Sequence, residues 1–163
     1  MAAHLDFPTS NGKYAEMFDK GELALLPTKK YIVVTCMDAH VDIKLGDAHI
    51  ICNASGSVKE ALRSIVISQR LLGTHEVAVF HHTGCGMLLF STDHLCTLVK
   101  DAEPENLTIG EAVNKIDFLE FGDLEESVKR DVKFLQENPL LLKETKVSGW
   151  IYDVATGRIK QVV

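Results

Sequence analysis

Apolar residues recur along this chain in two rhythms. Residues 31–35 (YIVVT), 48–53 (AHIICN) and 76–80 (EVAVF) are short, nearly unbroken runs rich in β-branched side chains. Runs of that length without alternation fit strands covered on both faces, as in a parallel sheet. Elsewhere the period is that of a helix. Residues 58–72 place Ala61, Leu62, Ile65, Val66 and Leu72 on one broad side, and Gly73 follows as a stop. Ser57, with Glu60 three residues on, predicts a capping box at that helix's start. Residues 92–102 (TDHLCTLVKDA) predict a second helix, capped by Thr92 or Asp93.

Residues 123–138 predict a strongly amphipathic helix. Leu124, Val128, Val132 and Leu135 face inward, Glu125, Glu126, Lys129 and Lys133 face outward, and Pro139 lies beyond the end. Upstream, residues 12–23 (GKYAEMFDKGEL) predict a short helix closed by Gly21, with a loop around Pro27. Residues 146–163 predict a strand and a hairpin return across Ala155-Thr156-Gly157. Strands alternating with helices imply one α/β domain over residues 1–163, with a mainly parallel sheet flanked by helices and residues 1–27 as an N-terminal helical arm.

Length and composition narrow the classes further. The 163 residues suit one domain, and 46% hydrophobic with 25% charged residues is the balance of a globular chain. Net charge is −6 with both signs interspersed, which excludes the clustered basic face of a nucleic-acid binder. No run approaches a membrane span, and the opening MAAHLDFPTS lacks the features of a signal or transit peptide. The expected location is cytoplasmic. Cysteines at 36, 52, 85 and 96 form no compact disulfide framework, so in a reducing compartment they are core residues, metal ligands or reactive thiols.

In open parallel sheets, functional groups gather beyond the carboxyl ends of the strands. CMDAH (36–40) and HHTGC (81–85) both sit at such ends. His82 and Cys85, separated by two residues in a glycine-containing loop, can converge on one ion, with Cys36 as a third ligand from the neighbouring strand. Two thiolates and an imidazole suit zinc and leave a fourth position open. The same residues admit other readings: Cys36 as a small buried apolar group, His82 as a donor to a backbone carbonyl, or a Cys–His nucleophile pair. Cys96, between Leu95 and Leu98, reads as core, and His4, His49, His75 and His94 as surface or loop residues. The Ala54–Ser57 turn (ASGS) resembles a phosphate cradle but lacks the fuller glycine and lysine pattern.

The segments CMDAHVD, GDAHIICNASG, ALRSIVISQRLLGT and VFHHTGCGML, in that order, resemble a β-class carbonic anhydrase of the short type that carries CMDAR…GDAHVIRNAGG…HHTDCGM. The similarity continues through DFLEFGDLEESVKRDV to SGWIYDVATG, nearly the whole chain beyond the N-terminal arm. The resemblance implies Zn2+ on Cys36, His82 and Cys85, and reversible hydration of carbon dioxide to bicarbonate. It implies Asp38 as acceptor of the proton from zinc-activated water, held by an arginine two residues on. It also implies a homodimer or a tetramer, the active-site pocket being shaped partly by the neighbouring subunit.

The sequence departs from that pattern at the dyad. The arginine is His40, which is shorter and lacks the rigid fork that grips both carboxylate oxygens. The expectation is a loosely held Asp38 that turns onto the zinc as a fourth ligand and lowers activity. Cys52 and Ser55 replace a further arginine and a glycine, and Gly84 an aspartate. Three functions follow: a slow carbonic anhydrase; a zinc protein acting on another heterocumulene such as carbon disulfide; or a non-catalytic subunit assembled with an active paralogue. A redox pair of Cys52 with Cys36 is a more distant fourth.

Overall fold

The runs of β-branched residues form the middle of a five-stranded sheet in the computed structural model, which describes residues 3–24, 26–37 and 46–163. β1 (Tyr31–Cys36) lies between β2 (Ala48–Asn53) and β3 (Glu76–His82), parallel to both. β4 (Lys146–Asp153) pairs parallel with β3, and β5 (Arg158–Gln161) returns antiparallel along it, giving the order β2–β1–β3–β4–β5. β3 runs two residues beyond the expected end, pairing His82 with Tyr152. β2 is an edge strand, and its Ile50 and Cys52 are exposed rather than covered. Its apolar run overstates its burial because one neighbour is missing on that side.

Two helices close one face. α2 (Val58–Leu72) and α5 (Leu124–Gln136) bury Val58, Ala61, Ile65, Val128, Val132 and Leu135 against Ile32, Val34, Val77 and Val79. Each such side chain contributes roughly 1.5–3 kcal/mol on burial, so this layer is the main source of stability. A Cβ on Gly149 of β4 would stand 2.5 Å from Val128 Cγ1, so glycine there lets α5 seat on the sheet. α2 ends at Gly73 with φ 71°, the left-handed stop expected of it. On its inner side Ser68 and Gln69 are buried, while Leu62, Val66 and Leu72 are only half-covered.

The helix starts differ from expectation. Ser57 makes no side-chain cap; Asp131 of α5 accepts the Val58 N–H at 3.2 Å instead. A full carboxylate is a stronger partner for a helix N-terminus than a serine hydroxyl. α3 (Thr92–Ala102) is capped by Ser91, whose Oγ accepts His94 N–H at 3.3 Å, rather than by Thr92 or Asp93. α4 (Leu107–Val113) follows, a short helix with no strong apolar period to announce it. α1 (Phe7–Met17) begins upstream of the expected 12–23, with Pro8 in its first turn, and it buries none of its side chains. His49 is half-buried, its Nδ1 2.6 Å from Ser68 Oγ, and so ties β2 to α2 rather than standing free on the surface. Among the described residues no helix is long and apolar enough to cross a membrane.

Candidate metal centre

Cys36 and His82 are the last residues of β1 and β3, which lie side by side and point the same way. Their carboxyl ends are therefore neighbours although 46 positions separate the two residues in sequence (82 − 36). From His82 the chain turns through Gly84, at φ 70°, and returns Cys85 toward the strand ends. A second turn packs against Cys36 from behind. A Cβ on Gly56 (φ 75°) would stand 2.8 Å from Thr35 C and 2.9 Å from Cys36 N. Met37 N–H donates to Asn53 O at 2.8 Å, so the end of β1 is fixed on that side as well.

One ligand atom from each of Cys36, His82 and Cys85 lies within 4.8 Å of the others, and all three residues are buried. The two sulfurs are 4.0 Å apart. That is far from a disulfide, and close to the separation of about 3.8 Å that two 2.3 Å zinc–sulfur bonds would set at the tetrahedral angle. The tautomer of His82 follows from its partner. Nδ1 lies 3.0 Å from Thr83 O, a carbonyl that can only accept, so Nδ1 carries the hydrogen and Nε2 bears the lone pair. Nε2 is buried with no hydrogen-bond partner among the described residues. A bare imidazole nitrogen beside two thiols, its other nitrogen donating to a carbonyl, is the arrangement of a metal-binding histidine. The donor set fits zinc. Met87 and Phe121 are buried against the two cysteines, and Ala54, Leu88, Phe90 and Leu124 pack around them, an apolar wall that strengthens local electrostatics.

The other candidates fall elsewhere. Asp38 and His40 lie outside the described residues. His81 points to the opposite face from His82, as alternation requires. Its Nδ1 is 2.7 Å from Ser127 Oγ, whose own hydrogen goes to Leu124 O at 2.7 Å, and its ring stacks on Phe121 at 5.3 Å. It borders a cavity of about 250 Å3 with Ser55, Ser57, Lys59 and Asp131. Cys52 is exposed on β2 and takes no part in the cluster, and Cys96 is buried with Sγ 4.0 Å from Val113 O, the core role expected. Thr83 and Asp153, absent from the sequence-level candidates, are hydrogen-bonded to or near the donor loop. Only the strand register brings residue 153 there.

Against known proteins, the family described as carbonic anhydrase matches residues 31–159. Beta-carbonic anhydrase 1 of Mycobacterium tuberculosis is 37% identical over 164 residues, covering 96% of each chain. A carbon disulfide hydrolase of an Acidianus species is 31% identical over 153 residues, covering 79% of this chain and 75% of its own. The solved carbonic anhydrase from Glaciozyma antarctica superposes with a TM-score of 0.88 at 47% identity, over 96% of this chain and 95% of that one.

Proposed function

The chain belongs to the β-carbonic anhydrase family, and from that premise we propose that Cys36, His82 and Cys85 hold a zinc ion at which carbon dioxide is reversibly hydrated to bicarbonate. The observation that carries the reading is the bare, buried Nε2 of His82 facing two buried thiols. Zinc bound there supplies Lewis acidity that brings the pKa of a water toward neutrality, an effect for which carbonic anhydrases are the standard illustration. Two thiolates offset the ion's charge, so the site acidifies water less than a three-histidine set and depends more on a nearby proton acceptor. The chain's own residues supply the rest. Thr83 O fixes the imidazole, Met87 and Phe121 help exclude bulk water, and Asp38 accepts the proton.

His40 in place of arginine leaves Asp38 weakly held, and the reading is of an enzyme with reduced turnover in which Asp38 competes for the fourth zinc position. Stopped-flow carbon dioxide hydration from pH 6.5 to 9, parent beside His40→Arg, tests it. The expected result is a rise of roughly tenfold or more in kcat/KM for the variant, about 1.4 kcal/mol of barrier. A brisk parent that gains nothing from arginine refutes the dyad account. The carbon disulfide hydrolases among the relatives favour one second reading, hydrolysis of that linear heterocumulene at the same centre. Hydrogen sulfide release from carbon disulfide, measured beside hydration, separates the two. The working unit is proposed to be a homodimer, supported by the apolar side chains that α1 leaves uncovered.

A further inference from the structure

The chain between His82 and Cys85 is braced from the far side of the sheet. Thr83 continues the β3–β4 pairing, its N–H donating to Tyr152 O at 2.9 Å. Its hydroxyl accepts the Val154 N–H at 3.1 Å and keeps its own hydrogen for Asp153, whose Oδ1 lies at 3.5 Å, the long end of the range. Asp153 is itself fixed, Oδ1 accepting Ala155 N–H at 2.9 Å and Oδ2 the Thr156 hydroxyl at 2.8 Å. The Thr156 hydroxyl first, and the Ala155 N–H next, hold its carboxyl below the ordinary aspartate range, so it is an anion at neutral pH. The carbonyl of the same Thr83 accepts the His82 Nδ1–H. One residue thus grips the imidazole with its backbone and the β4–β5 turn with its side chain.

We propose that Thr83, braced by Asp153, is a positioning residue for the metal centre, setting the rotation of the His82 ring and the path of the chain to Cys85; the inference rests on the zinc reading above. A carboxylate commonly orients a metal-bound imidazole by a direct hydrogen bond. Here the carboxylate acts one residue removed, through a threonine hydroxyl and then that threonine's peptide carbonyl. The turn from Asp153 to Gly157 thereby becomes part of the site although it supplies no ligand.

The test uses the full-length zinc protein and its cobalt-substituted form. Thr83→Val keeps the shape and removes the hydroxyl, Thr83→Ser keeps the hydroxyl, and Asp153→Asn weakens the brace. Outer groups that orient metal ligands are worth about 10–100-fold in metal affinity. Thr83→Val is expected to lose zinc to excess dipicolinate about tenfold faster or more and to shift the visible cobalt bands. Thr83→Ser is expected to match the parent on both, with Asp153→Asn between. A Thr83→Val protein with parental zinc release and a parental cobalt spectrum overturns the inference even where its Tm falls. So does a Thr83→Ser protein as leaky as the valine variant. A parent that takes up neither zinc nor cobalt overturns the metal centre, and this inference with it.

Discussion

Ser55 shows how one residue carries strain beside the donor loop. It sits at φ 68°, in the left-handed region that side chains with a Cβ avoid, and it is only 3% exposed. Gly56 next to it, also at positive φ, is pressed against the backbone of Thr35 and Cys36. The turn must be this tight for the end of β1 to be backed by it. A left-handed L-residue costs about 1–2 kcal/mol, part of which returns as lower chain entropy in the unfolded state. Ser55→Gly is therefore expected to raise stability by about 1 kcal/mol, read as a higher urea midpoint at unchanged m-value. An unchanged or lower midpoint shows that the serine hydroxyl contributes more than its backbone costs.

At the scale of elements, helix starts are where tertiary partners override local sequence. The first turn of α3 is held by Ser91 and also by Glu120, whose carboxylate accepts Thr92 N–H at 2.8 Å and Thr92 Oγ1–H at 2.6 Å. The Thr92 hydroxyl, then its N–H, pull the Glu120 pKa below its ordinary 4.5. A depressed folded pKa means stability that is present above the unfolded value and lost as pH falls through the folded one. The stability gap between parent and Glu120→Gln is expected to be constant from pH 7 to pH 5 and to close below about pH 4, read from urea midpoints at each pH. A gap that persists at low pH refutes the charge account.

The same dependence explains what could be read in advance. Three β-branched runs announced β1, β2 and β3, and Gly73 announced the end of α2, because these signals are local. The capping box at Ser57 failed because its rival, Asp131, which takes the Val58 N–H from 73 positions downstream, lies on another helix. Cys36, His82 and Cys85 were legible as a group because strand ends in a parallel sheet meet at one edge. Thr83 was not, since its importance depends on the pairing of His82 with Tyr152 across 70 positions.

For the whole molecule, the feature left unsatisfied is α1. Phe7 is 68% and Met17 77% exposed, and Tyr14 and Phe18, themselves exposed, meet in a tilted ring contact with centroids 5.4 Å apart. An apolar stripe of that kind on a helix that buries none of its side chains is the surface on which the proposed pairing with a second copy rests. Sedimentation is expected to give a dimer for the parent. Phe7→Ser combined with Met17→Ser is expected to weaken association tenfold or more, about 1.4 kcal/mol. A monomeric parent, or a variant that dimerises as tightly as the parent, refutes the assignment.

The pairing of β3 with β4 has a consequence for the order of events at the ribosome. Both thiols and the imidazole are synthesised by residue 85, yet the residues that brace their loop, Tyr152 to Val154, follow 67 or more positions later (152 − 85). A nascent chain therefore displays its metal donors long before it can hold them in place. Since domains fold as units once their chain is available, a durable centre waits until the β4–β5 turn has emerged.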